Sequence, residues 1–152
     1  MPSTPYHETV RGAVAVAVRA QLVTAGVTLM VYEWDELIPQ FQNQPSIVVV
    51  YGSEFNSGEG TNIRDAVAYP LLVAFLTKQY IPGSPPAGCS VALFREIVHD
   101  ACHNRRLSGL DTSALPAHVD PQPPQIDPNV PGFEDVKTSP LVTVTALRPR
   151  GA

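Results

Sequence analysis

Apolar positions along this chain follow two periods. Over residues 9–25 they recur at helical spacing, with Val10, Ala13, Val14, Ala17, Val18 and Leu22 on one stripe. The spacing predicts a helix from near Glu8 or Thr9 to Ala25, stopped by Gly26. The VAVAV run inside it also alternates with period two, so a strand is the alternative. Its length, its alanine content and its terminal glycine favour the helix. Arg11 and Arg19 fall outside the stripe. Residues 28–34 then alternate as a strand does, with Leu29, Val31 and Glu33 on one face and Met30, Tyr32 and Trp34 on the other. A connector over 35–44 is bounded by Pro39 and Pro45.

The centre of the pattern is QPSIVVVYGSEFNSGEGTNIRDAVAYPLLVAFLT, residues 44–77. Residues 47–51 are a continuous β-branched run closed by Gly52, which reads as a buried strand. Residues 66–76 form a second, longer apolar run. Pro70 interrupts it, and a proline cannot donate to a ladder, so this strand is predicted at an edge, bulged or bent. The glycine-rich stretch between them, 52–62, has neither period and is far too long for a tight turn. It is predicted to be a long loop, and such loops are usually functional or disordered.

Residues 80–88, YIPGSPPAG, read as a turn-rich linker. A second helix is predicted from an N-cap at Ser90 to about Leu107, with Gly109 beyond it. It puts Val91, Phe94, Ile97, Val98 and Ala101 on one side and Glu96, His99, Asp100 and His103 on the other. Residues 117–120 read as a short strand, and 120–132, DPQPPQIDPNVPG, as an extended polyproline-type loop. A last strand covers 141–147, with Val142, Val144 and Ala146 on one face and Leu141, Thr143, Thr145 and Leu147 on the other. The order predicts an α+β fold: two helices packed on one face of a mainly antiparallel sheet of about four to five strands, α-β-β-β-α-β. Residues 1–152 are expected to form a single domain, with a flexible hairpin loop at 52–64 and a proline-rich insert at 116–140.

Composition sharpens this in three places. At 152 residues, 44% apolar and 16% charged, the chain can bury a real core in one domain. Its net charge of −4 argues against gripping nucleic acid through phosphates, though not against a surface past which DNA slides. Sixteen prolines are about twice the usual share, and seven lie between Pro116 and Pro140, which is why that part reads as extended. The polar start MPSTPYHETV does not resemble a secretory signal. The Val/Ala run after it is broken by Arg19 and Gln21 and is too short to span a bilayer. A soluble protein made in the cytoplasm, with no membrane partner, is the expectation.

Candidate chemistry is sparse. His99, Cys102 and His103 lie close on the second helix, and zinc wants three or four ligands converging on one point. The helical wheel instead puts the histidines outside and Cys102 at the edge of the apolar face. Cys89 and Cys102 have no metal or redox spacing. Ser53, His99 and Asp100 make a triad only on paper, because no G-x-S-x-G pattern supports it. The loop at 52–60 lacks the phosphate-cradle pattern and leads into a strand. Glu33, Asp35 and Glu36 around Trp34 read as a solvated strand end. No catalytic, cofactor-binding or metal-binding residue is expected, and no cofactor. Phe55, an aromatic among polar and glycine residues, is the loop's candidate contact residue, with folding back on its own sheet as the equal alternative.

Taken in order, these elements resemble the tail terminator proteins of long-tailed bacteriophages. The likeness rests on the N-terminal helix (9–25) and the strand after it (28–34). It rests further on the pair PSIVVVYG and AVAYPLLVAFLTKQ around a long loop, the helix LFREIVHDACHNRRL, and the closing strand SPLVTVTALRPRG. The chain departs from that layout in the insert at 116–140. The resemblance implies a structural virion protein: a ring, commonly of six subunits, that sits on the last ring of the tail tube and ends its polymerisation. It would join head-completion or connector proteins on its other side while DNA passes through the lumen without specific binding. Contacts are then expected from Glu54, Phe55, Asn56, Glu59, Asn62 and Arg64 of the loop and from Arg148 and Arg150 near the chain end. Another neck component, such as a head-closure or connector ring, and a small metal-dependent enzyme using His99, Cys102 and His103 are the alternatives.

Overall fold

The computed structural model describes residues 6–33, 46–52, 55–60, 64–77, 83–107, 110, 117–120 and 136–149. The first helix, α1, spans Tyr6–Thr24. It ends as the glycine predicts. Gly26 takes a left-handed backbone, φ 72°. The Val27 N–H then donates to the Leu22 carbonyl and the Gly26 N–H to the Val23 carbonyl, satisfying two groups the helix end leaves open. Val10, Val14, Val18 and Leu22 are buried as the stripe requires. Arg11 is a correction. It is 8% exposed, and its Nε lies 3.8 Å from Glu33 Oε1, so it sits inside the packed side of α1 and ties the helix to the next strand. Arg19 does stay at the surface, where its Nη2 donates to the Val31 carbonyl.

Among the described residues seven strands form one sheet: β1 (Met30–Glu33), β2 (Ser46–Gly52), β3 (Phe55–Gly60), β4 (Arg64–Thr77), β5 (His118–Asp120), β6 (Val136–Thr138) and β7 (Leu141–Pro149). The order across the sheet is β1-β2-β4-β7-β5, with β3 and β6 also paired to β4. Among the described residues only β1 and β2 run parallel. β2 and β3 meet β4 in a single register, Gly52 opposite Leu71 and Phe55 opposite Ala68. β6 and β7 do the same on its other side, Thr138 opposite Phe75 and Leu141 opposite Leu72. The seven strands therefore follow five lines of chain, within the predicted range.

Two expectations about this centre fail. The stretch predicted as a loop contains β3, so the loop is instead the far end of a long hairpin. Only residues 53–54 and 61–63 of it lie outside the described residues. Its polar, glycine-rich composition carries no strand period, and its pairing comes from backbone laid against β4. β4 is also not an edge but the middle of the sheet. The Val73 N–H donates to the Pro140 carbonyl, on the β7 side. Donors alternate sides along a strand, so Pro70 turns its ring nitrogen to the other side. There β2 ends opposite Leu71 and β3 begins opposite Ala68. The missing donor falls at the junction of two partner strands, where it costs the ladder little.

The second helix, α2, spans Val91–Cys102, capped by Ser90, whose hydroxyl accepts from the Leu93 N–H at 3.1 Å. It stops about five residues before the predicted end. Asn104 takes φ 56°, its N–H donates to the Ala117 carbonyl, and the Ala117 N–H donates back to Arg105. That exchange with the segment leading into β5 replaces the helix's last turn. Phe94, Ile97, Val98, Ala101 and Cys102 are buried, facing Tyr69, Leu71, Val73 and Phe75 of β4 and Val142 and Val144 of β7. Phe75 and Phe94 meet edge to face, ring centres 5.0 Å apart. Both helices share this one core with the same face of the sheet, the α+β arrangement predicted. β5 and β6 come from the predicted proline-rich insert, of which residues 121–135 lie outside the described residues.

Candidate functional site

The hairpin and the chain end are where contact residues were predicted, and the sheet register brings part of that set together. Arg64 opens β4 opposite Pro149, and Asp65 lies opposite Arg148, so both arginines reach the same end of the sheet. Gly60 lies opposite Asp65, which puts Glu59 beside that end on β3. Phe55 and Asn56 sit farther back on the arm, opposite Ala68 and Val67. Glu54, Asn62 and Arg150 lie outside the described residues. Residues 64–68 of β4 lie between β3 and β7 and cover roughly 17 Å of strand at the usual rise per residue.

A histidine group forms at the other end of the molecule, where α2 meets β5. His99 and His103 are one helical turn apart and stack, ring centres 4.5 Å apart. His118 on β5 lies 5.2 Å from His103. Sequence reading missed His118, because only the pairing of Ala117 with the end of α2 brings it there. The Val119 N–H donates to His103 Nδ1 at 3.1 Å. Neutral His103 therefore carries its proton on Nε2, with the Nδ1 lone pair taken by Val119. Its pKa is lowered, by burial first and then by His99 and His118. Cys102 is fully buried, and burial pushes its thiol up to about 12 against a smaller opposing pull from Arg105. Cys89 is likewise pushed up to about 11 by burial. Neither is a thiolate near neutral pH, so neither is activated as nucleophile or ligand. Among the described residues no group of three His, Cys, Asp or Glu side chains could hold a metal ion.

The other paper constellations lie partly outside the described residues. His99 Nδ1 is 3.7 Å from Asp100 Oδ1, beyond hydrogen-bond reach, and Ser53 lies outside the described residues. Glu33 faces Arg11 rather than a cation site, while Asp35 and Glu36 lie outside the described residues.

Two surfaces at opposite sheet edges went unnoticed in the sequence. Next to the histidines, a cavity of about 250 Å³ opens between α2 and the β5–β6 side of the sheet. Val119 and Pro140 contribute apolar surface, and Glu96, Asp100 and Asp120 bring carboxylates. Arg95 crosses it to donate from Nε to Thr138 Oγ1 at 3.0 Å. At the β1 edge, α1 leaves Val16 53% and Val23 79% exposed. Among the described residues no helix is long and apolar enough to cross a membrane.

No protein-family profile and no curated protein matches the sequence. Among solved structures, the chain is similar to the sheath/tube terminator, in its extended state, of an extracellular contractile injection system, PVC, with TM-score 0.55 and 14% identity. The likeness covers 100% of this chain and 59% of that one. The fold is thus terminator-like, and the chain spans about three-fifths of the length of the protein it matches.

Proposed function

We propose that this chain is a structural subunit of a tail terminator ring. In this reading six copies close into a ring on the head-proximal end of a phage tail tube and stop its growth. Head-completion or connector proteins dock on the opposite side. The observation that carries the reading is the likeness of the whole chain to a sheath/tube terminator. The architecture suits the task. A small sheet backed by two helices provides a rigid body, and the β3–β4–β7 ribbon carries Arg64 and Arg148 at its end. Rings need heterologous contacts that close on themselves, hence two unlike sides. A net charge of −4 favours a lumen through which DNA moves without being held. Such a subunit works by position and contact, with no catalytic step, and belongs to the assembled virion.

The test is assembly. Mass photometry and electron microscopy of the purified protein, alone and with tail tubes, should give one discrete ring size and tubes capped at one end. Tubes grown with the subunit should stop at a single length, and tubes grown without it should vary. Protein that stays monomeric in every condition, with tubes included, overturns the proposal. A ring that binds the connector and never the tube assigns it to another neck position.

A further inference from the structure

The two unnoticed surfaces lie on opposite sides of the subunit. The sheet runs β1-β2-β4-β7-β5, with α1 over the β1 side and α2 over the β5 side. A head-to-tail contact in a ring has to join two such opposite sides.

α1 is far from a simple amphipathic helix. Residues 12–18 read GAVAVAV, without one charge. Its inner stripe is buried, yet Val16, Ala20 and Val23 recur at helical spacing on the outside and are exposed. A helix apolar on both sides is normally covered on both. Arg11 and Arg19, whose contacts are on β1, mark the flank of α1 that faces that strand. At 100° per residue Val23 and Val16 come next around the helix, with Arg19 beside them. The protruding flank is therefore apolar with an attached positive charge.

The cavity at the other edge is its complement. At about 250 Å³ it is below the usual size of small-molecule sites, roughly 300–1,000 Å³, and suits a few apolar side chains instead. Val119 and Pro140 offer the apolar surface, and Glu96 and Asp100 on α2 put negative charge at its rim.

We propose that α1 of one copy seats its Val16–Val23 flank in the cavity between α2 and β5–β6 of the next copy, with Arg19 facing Glu96 and Asp100. This names the contact surface of the ring proposed above and rests on that reading. Apolar fit holds the two copies together, and charge sets which edge meets which.

The test uses cysteine pairs and a short bismaleimide on the assembled protein. Native Cys89 and Cys102 are fully buried, so the introduced thiols react first. The double variant Val23→Cys/His99→Cys is expected to give a covalent ladder ending at the full ring, and either single variant none. A ring of normal size without the ladder overturns this interface and leaves the ring reading standing. Monomer in every condition removes both. Dimers from Val23→Cys alone, which mean a two-fold contact, or capture of a tube or sheath subunit in place of a second copy, also overturn it. Charge reversal gives an independent check. Arg19→Glu should raise the concentration below which rings dissociate on dilution by on the order of tenfold, and adding Asp100→Arg should bring it back down. Circular dichroism confirms the fold of each variant. No rescue in a folded double variant counts against the pairing of Arg19 with that rim.

Discussion

His103 shows how one side chain takes a structural role that its sequence position does not announce. It caps the end of α2, stacks on His99, meets His118, and accepts the Val119 N–H on Nδ1. Protonating Nδ1 removes that acceptor and places charge between two other imidazoles. Its folded pKa lies below the ordinary 6.5. The unfolded chain therefore binds the proton first as pH falls. Stability from this group is complete above about pH 6.5 and is lost as pH drops through 6.5 towards the lowered value. The thermal midpoint should fall between pH 7 and pH 5. In His103→Gln, whose amide oxygen still accepts and does not titrate, that fall should shrink, and an unchanged pH profile would refute the assignment. Ser90 acts at the opposite end of the helix. Ser90→Ala removes the acceptor for the Leu93 N–H and should cost about 1 kcal/mol, or roughly 2–4 °C in thermal midpoint by calorimetry. Ser90 was legible as a cap because the cap and its helix are adjacent in sequence. His118 was not, since its neighbours come from another element.

At the scale of elements, the sequence is informative wherever an apolar stripe meets the protein's own core. Both helices, the buried face of β7 and the β2–β4 pair were readable for that reason. β3 was not, since FNSGEG has no alternation of apolar and polar positions. β6 was hidden inside proline-rich chain, and Pro70 misled because its cost depends on what lies opposite it. Arg11 misled in the same way: a charge on a helix reads as exposed until a partner such as Glu33 is known. Two substitutions probe these elements. Phe94→Ala removes a fully buried ring that packs edge to face on Phe75, joining α2 to β4. It should destabilise by about 3–5 kcal/mol, seen as a lower urea midpoint with the slope retained. Gly26→Ala puts a Cβ where nothing lies within 4 Å, so its cost is the left-handed backbone alone. About 1–2 kcal/mol is expected by the same measurement, and no loss would mean that the α1 cap is not formed in solution.

Over the whole molecule, burial patterns report only what a chain packs against itself. The order of elements was enough to anticipate a terminator-like fold, yet the same patterns pass over the faces that would meet a neighbour. Val16 and Val23 fall outside the stripe read from the sequence, and the cavity beside α2 exists only once residues from α2, β5, β6 and the turn before β7 converge. The β3–β4–β7 ribbon is the sharpest case. In the proposed ring its end is the contact with the tube. Arg64 and Arg148 arrive at one end of it from strands far apart in sequence. Reversing both charges, Arg64→Glu/Arg148→Glu, should therefore separate folding from assembly. Substitutions away from a core usually stay within about 0.5 kcal/mol, so the urea midpoint should barely move. Tube capping should instead weaken by an order of magnitude or more, since like charges at a contact repel where opposite ones attracted. Electron microscopy of tubes grown with each protein reads this directly as length. A folded double variant that caps tubes as well as the parent would remove the ribbon from the contact and leave the edges of the sheet to carry assembly.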